Sequence, residues 1–366
     1  MKKRSSTTVR IKDAVETVCG LDVSDRHSRV CLISRESGEI VAEGRVATTR
    51  TALRGYFEPY PPMRIALEVG THSPWMSRLL SELGHEVLVA NARKVRLISQ
   101  NRRKNDRIDA EYLARLARVD AKLLAPIRHR GPQAQVDLAL LRSRGALVKT
   151  RTELINHVRG IVKATGQRLP AASTDNFATK ARTALAPELM DALAPVLDTI
   201  AHVTATIRRY EEQLEALATT AYPQTALLRQ VHGVGLLTSL AFVLTIEDPS
   251  RFRRSRSVGA YFGLVRARQQ SGDSDPALHI TKAGDPFVRK LLVGCAHYIL
   301  GPFGHDCDLR RYGERLGAGG SKKAKKRAIV AVARKLAVLL HRLWVDQATY
   351  DPFYNLTRTG KHQHAA

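Results

Sequence analysis

The stretch from Thr17 to Ala90 constrains the fold of this chain more than any other. Residues Thr17–Val23, Ser28–Ile33 and Glu39–Val46 alternate with the period of two that half-buried strands need. The links Ser24-Asp25-Arg26-His27 and Arg35-Glu36-Ser37-Gly38 are short and polar, so the three strands form an antiparallel meander. A helix from about Thr49 to Phe57 follows, then an apolar strand Arg64–Val69, a helix Pro74–Leu83 and a strand Glu86–Ala90.

Hairpin strands followed by β-α-β crossovers give a mixed sheet flanked by helices, the element order of an α/β RNase H-like domain. Two carboxylates interrupt its strands. Asp22 sits in Gly20-Leu21-Asp22-Val23-Ser24, and Glu68 in Ala66-Leu67-Glu68-Val69-Gly70. A carboxylate inside an apolar strand is costly to bury unless it is paired or binds a cation. In this order the two strands are neighbours, so both acids reach one spot. Asp106 and Asp109, three apart in Lys104-Asn105-Asp106-Arg107-Ile108-Asp109-Ala110, share a helix face. Four acids at one site repel unless divalent cations neutralise them, and hard oxygen ligands suit Mg2+ or Mn2+. Such ions activate the attacking oxygen and stabilise the leaving oxygen in phosphodiester chemistry. Plainer roles stay open: Asp106 as a helix cap, Glu68 as the partner of an arginine, and Asp25 as a turn former beside Asp22.

The rest divides by pattern. A helix spans about Gln133 to Gly166, and a second long helix is expected to begin near Pro195, an acceptable first-turn residue. Val196, Ile200, Val203, Ile207, Tyr210, Leu214 and Leu217 form a three-four coiled-coil seam on it. Its partner is either the preceding helix or a second subunit. After Tyr222-Pro223 the composition changes, and a basic helix from about Lys322 to Trp344 ends the last block. The expected divisions are 17–125, an acidic α/β domain; 126–222, a helical linker and coiled coil; 223–350, a mainly α C-terminal domain; and 351–366, a tail.

The chain carries 59 Lys plus Arg against 34 Asp plus Glu, a formal +25 over 366 residues. Such an excess repels itself in a compact fold, so a polyanion is the natural partner. Nucleic acid fits; no apolar run approaches membrane-spanning length. Met1–Arg10 lacks the apolar core of a signal peptide. Four cysteines without a CxxC pair fit a reducing cytoplasm. Cys295, His297, His305 and Cys307 have metal-ligand chemistry, but residues two apart on a helix do not face each other, which disfavours a site there.

Two motifs in the last block point to DNA. Leu228–Leu237 reads as helix, Gly233-Val234-Gly235 turn, helix, in which turn amides at a helix start can hold a phosphate. An ordinary helical hairpin gives the same pattern. Ser271 precedes Gly272 in a polar loop, after Arg266 and Arg268 and before His279, Lys282 and Arg289. Neighbouring cations stabilise charge on an attacked phosphate, although most loop serines do nothing chemical. Lys322, Lys323, Lys325 and Lys326 form a basic cluster that either touches a nucleic-acid backbone or is a solvated helix face.

The acidic segments quoted above resemble the DEDD motifs of the insertion-sequence-110 type transposases. The run through Val231–Gly235, Ala260–Leu264, Gln270–Gly272 and Ile280–Asp285 resembles that family's C-terminal transposase domain. Order and spacing agree from about Val18 to Tyr350. The resemblance implies a RuvC-like domain, a coiled-coil connector and a transposase domain. It implies that Asp22, Glu68, Asp106 and Asp109 bind magnesium and that Ser271 forms a covalent phosphoserine link. It also implies strand exchange through a Holliday-junction-like intermediate. The expected partners are donor and target DNA, a structured bridge RNA that pairs with both, and further copies of the chain, as a dimer and a tetramer in the synapse. One departure stands out: the family often has Ser-Ser-Gly-Gly where this chain has Gln270-Ser271-Gly272-Asp273, which leaves Ser274 as a second candidate nucleophile. Two rival readings remain at this level, a structure-selective nuclease that hydrolyses junctions with water and a non-catalytic nucleic-acid binder.

Overall fold

A computed structural model of the chain describes residues 16–91, 93–95, 106–276 and 278–355. The chain divides into two compact units, Met1–Arg130 and Gly131–Ala366.

Unit 1 is built on a five-stranded mixed sheet. The strands are β1 (Thr17–Asp22), β2 (His27–Ser34), β3 (Ile40–Ala47), β4 (Arg64–Glu68) and β5 (Glu86–Ala90), in the order β3-β2-β1-β4-β5. β1–β2 and β2–β3 pair antiparallel, whereas β1–β4 and β4–β5 pair parallel. The alternation seen in the sequence sorts the side chains onto two faces. Cys19, Leu21, Ile65 and Leu67 point to one face and pack with Leu53, Phe57, Met76 and Leu79. These last residues belong to α1 (Arg50–Phe57), capped by Thr49, and α2 (Ser73–Glu82). Val18, Ala66 and Ala90 point to the other face, against Ala110, Leu113, Ala114 and Ala117 of α3 (Asp106–Val119).

Small residues, Ala66, Ala110 and Ala114 among them, recur on that second face, and the reason is a close approach. A Cβ on Gly20 would lie 1.9 Å from the Ala110 carbonyl oxygen and 2.6 Å from the Ala114 amide nitrogen. Only glycine lets the backbone of α3 come this near to β1. The helix is tied at its far end as well: Arg118 donates to the carbonyls of Arg35 and Glu36 at 2.8 and 2.6 Å, and Arg115 to that of Gly38 at 3.2 Å.

Unit 2 is helical. Its long helices are α4 (Pro132–Ala164) and α6 (Pro187–Thr220), with the short α5 (Phe177–Ala184) between them. Asp137 pairs with Tyr222, Arg144 with Glu211, and the Arg151 guanidinium donates to Thr204 at 3.4 Å. As one number rises the other falls, so α4 and α6 run antiparallel. The second long helix therefore does not begin near Pro195. It begins at Pro187, and Pro195 lies inside it. Most of the expected seam is buried within the chain, with Ile200, Val203, Ile207 and Leu214 no more than 8% exposed.

The remaining helices of unit 2 are α7 (Gln224–Arg229), α8 (Leu236–Ile246), α9 (Arg256–Tyr261), α10 (Pro286–Leu300), α11 (Asp308–Gly317) and α12 (Lys322–Asp346). Apolar residues of α8, α10 and α12, among them Phe242, Leu292 and Leu336, fill one core. No helix among the described residues is long and apolar enough to cross a membrane. The tail expected beyond Tyr354 falls mostly on 356–366, outside the described residues. All four cysteines are buried and free; burial pushes the Cys31 thiol up to about 11, with the carboxylates of Glu43 and Glu111 adding to the shift.

The glycine contact yields a direct test. Gly20→Ala forces the Ala110 backbone away from β1 and lowers unfolding stability by about 3 kcal/mol, measured by urea denaturation. A change under about 0.5 kcal/mol would show that the helix does not sit this close.

Candidate functional site

Two of the four expected acids, Asp22 and Glu68, stand at one end of one face of the unit 1 sheet. Asp22 is the last residue of β1 and Glu68 the last of β4. The parallel register pairs Gly20 with Ala66 and Leu21 with Leu67, and each acid lies one residue beyond that last pair. Strand alternation puts Asp22 on the side of Gly20, and Glu68 on the side of Ala66. That is the side covered by α3. Asp109 immediately precedes Ala110, whose backbone rests on Gly20, and it is only 3% exposed. Asp106 opens α3, and the placement of its side chain lies outside the described residues. Close packing at Gly20 thus holds the helix that bears Asp109 against the sheet face on which Asp22 and Glu68 lie.

Among the described residues no three His, Cys, Asp or Glu side chains gather closely enough to hold a metal ion. The donor set nevertheless has the right chemistry. It consists of carboxylate oxygens only, which hard divalent cations such as Mg2+ and Mn2+ prefer. Glu43, another acid of this sheet, is occupied by Arg107 at 2.6 Å. Asp25 pairs with the His72 ring at 3.2 Å.

Ser271 lies at the tip of a hairpin in unit 2. Thr281 donates its amide to Val265 at 2.9 Å and Ala267 to His279 at 2.9 Å, which closes the stem. At the tip the amides and carbonyls of Ser271 and Ser274 exchange hydrogen bonds of 3.1 and 3.0 Å. Gly272 takes φ +55°, the left-handed value that a tight two-residue turn demands at its first central position. The base of the hairpin is clamped by two more glycines. A Cβ on Gly263 would meet the Ala283 backbone at 2.3 Å, and one on Gly284 the Tyr261 carbonyl at 2.0 Å. The chain therefore holds the exposed Ser271 on a short, braced stem.

The cations near Ser271 divide by task. Arg266 donates to the carbonyls of Asp275 and Pro276 at 2.9 and 2.6 Å and pairs with the Asp275 carboxylate at 3.2 Å. Arg268 reaches the same carboxylate at 3.9 Å. Asp275, not singled out by sequence reasoning, is thus the local counter-ion; its one visible signal is an acid placed across the loop from two arginines. Arg289 donates to the carbonyls of Phe262 and Ala283 at 3.1 and 2.8 Å, so it braces the hairpin base. Lys282 takes φ +52°, an uncommon value for a residue with a side chain.

The glycine turn forms as read. α7 ends at Arg229, Gly233 takes φ +89° against Tyr298, and Gly235 caps α8 with open space around its Cα. Lys322, Lys323, Lys325 and Lys326 are exposed on the first turns of α12, which Ser321 caps. Cys295 is buried against the Thr238 hydroxyl while His297 is exposed, so the two face apart.

With both units in view, comparison with known proteins decides the family. Residues 19–166 match the profile of the DEDD transposases of IS110, and residues 225–303 that of the transposase IS116/IS110/IS902 family. The chain is 31% identical to the transposase for insertion sequence element IS1111A of Coxiella burnetii, over 68% of each protein. The chain belongs to the IS110 family of transposases. It is 27% identical to the "Probable family 20 transposase" of Pseudomonas aeruginosa over 91% of this chain and 98% of that one. The transposase for insertion sequence element IS1328 of Yersinia enterocolitica is 27% identical over 78% of this chain and 84% of its own. As an IS110-family transposase the chain is an enzyme that cuts and rejoins DNA.

The division of labour among the cations is measurable in this transposase. Arg289→Met removes charged hydrogen bonds to two carbonyls and costs about 2 kcal/mol in urea unfolding. Lys322→Ala, on an exposed helix turn, changes stability by less than about 0.5 kcal/mol. Equal effects would contradict the assignment.

Proposed function

We propose that this IS110-family transposase cuts DNA with a RuvC-like acidic site in unit 1 and a serine nucleophile, Ser271, in unit 2. The observation that supports the reading is the packing at Gly20, which holds α3, the helix bearing Asp109, against the sheet face on which Asp22 and Glu68 lie. The strand order β3-β2-β1-β4-β5, with its antiparallel and parallel halves, supports an RNase H-like domain. Asp22, Glu68, Asp106 and Asp109 would hold Mg2+ or Mn2+. When bound, such ions neutralise charge on the attacked phosphodiester and on the leaving oxygen.

The chain's own residues do the rest. The Ser271 hydroxyl gives up its proton, its oxygen bonds to phosphorus, and the departing strand leaves with a free hydroxyl. A hydroxyl of another strand then attacks the phosphoserine, frees Ser271 and completes the exchange. The exposed position of Ser271 on a glycine-braced hairpin supports this role, and Ser274 closes the same turn as the second candidate. Arg266 and Arg289 fix the hairpin, while Arg268 and Lys282 meet the phosphate. Amides of the Gly233–Gly235 turn and the lysines 322, 323, 325 and 326 bind DNA or RNA backbone. Cations at a helix start oppose its dipole, and phosphate contact offsets that cost.

The α4 and α6 pair serves as the coiled-coil connector between the acidic domain, 17–125, and the transposase domain, 223–350. The RuvC-like domain of one copy serves the transposase domain of another, in a dimer that becomes a tetramer at the synapse. A bridge RNA pairs with donor and target DNA; the +25 charge supports a second polyanion besides DNA. The reaction takes place in the bacterial cytoplasm, at the nucleoid.

The test is to purify the full chain with its co-expressed RNA and add donor DNA, target DNA and Mg2+. A covalent protein–DNA adduct is expected on denaturing gels. Ser271→Ala abolishes it, with cleavage below about one-thousandth of the wild type, and Ser274→Ala spares it. Undiminished cleavage by Ser271→Ala would replace this reading with hydrolysis by water.

A further inference from the structure

A cavity of about 520 Å³ opens between α11, α12 and the segment 348–355, with Arg256 of α9 at its edge. It shares no lining residue with the Ser271 hairpin or the glycine turn. Its volume falls in the range of small-ligand sites.

The lining has two chemistries. Val338, Leu339 and Leu343 of α12 give an apolar wall, and Tyr312, Tyr350 and Tyr354 add aromatic surface. Arg256, Arg334 and Lys335 supply positive charge. Each carboxylate of the lining already has a partner. Asp346 holds Arg342 at 3.1 Å, Asp308 accepts the Asn355 amide at 2.8 Å, and Asp351 accepts the Phe353 amide at 2.9 Å. Lys335 lies 3.8 Å over the Tyr312 ring and Arg342 5.0 Å over the Tyr354 ring, which leaves Tyr350 as the aromatic surface without a cation stacked on it, and burial lowers the pKa of the Lys335 ammonium. Among the described residues, the side chains of Arg256 and Arg334 make neither a hydrogen bond nor an ion pair.

An apolar and aromatic slot with two uncommitted guanidinium groups at the same opening matches one kind of ligand. A nucleobase has a flat face for the slot, and the attached phosphate is an anion for the arginines. A stacked base inside a duplex cannot enter such a cavity, because its faces are covered by its neighbours. An acidic peptide would use the arginines but would leave the aromatic wall without a planar partner. We propose that this cavity takes one unstacked nucleotide of a single strand, base against Tyr350 and the apolar wall of α12 and phosphate on Arg256 and Arg334. The site is separate from the acids and from Ser271, so it grips a strand rather than cutting it.

The test uses the full chain and fluorescein-labelled probes of one sequence: single-stranded DNA, single-stranded RNA and the DNA duplex. In the Arg256→Ala/Arg334→Ala variant, affinity for at least one single strand falls about fivefold to tenfold, and for the duplex less than about twofold. Loss on the DNA strand, the RNA strand or both identifies the source of the nucleotide. Equal loss on the duplex, or no loss on either strand, overturns the proposal. Should the variant fail to fold, wild-type protein cross-linked to 5-iodouracil single strands decides instead. Adducts on Tyr312, Tyr350 or Tyr354 support the site, and adducts confined to other segments overturn it. Neither measurement depends on Asp22, Glu68, Asp109 or Ser271, so failure here is distinct from failure of the strand-transfer reading.

Discussion

Helix α3 touches β1 backbone to backbone, and this contact governs the placement of chemistry in unit 1. A carboxylate on a helix and two on neighbouring strands share a locality only if helix and sheet approach closely at that end. Gly20 makes the approach possible, and Ala66, Ala110 and Ala114 keep the layer between them thin. Asp109 is buried at 3% exposure, where a carboxylate needs a hydrogen-bond partner, an opposite charge or a cation.

Unit 2 uses glycine differently. Gly263 and Gly284 let two chain segments cross at backbone distance, and Gly272 turns the tip of the hairpin. Arg289 then spends its guanidinium on the carbonyls of Phe262 and Ala283, and Arg266 on those of Asp275 and Pro276. The result is an exposed hydroxyl on a braced support, a geometry suited to presenting one atom to a large substrate.

The strands of unit 1 were legible in the sequence because each buries one face and so alternates. The acids were legible for the same reason, since Asp22 and Glu68 break apolar runs. The start of α6 was not. Pro195 looks like a first-turn residue, but Pro187 fills that position eight residues earlier and the helix continues through the second proline. The 265–281 hairpin was also hidden, as its polar exposed strands have no buried face to impose a pattern. The carbonyl partners of Arg289 were hidden as well, because sequence spacing does not reveal backbone carbonyls brought together by folding. Gly20 was visible as a residue, but its partner, Ala110, lies 90 positions away and only the fold joins them.

Anomalous diffraction from crystals of the full chain soaked in Mn2+ tests the central claim most directly. The account predicts anomalous peaks at about 2.2 Å from carboxylate oxygens of Asp22, Glu68 and the α3 aspartates. Manganese bound elsewhere, with those acids paired to arginines or facing apart, would contradict it.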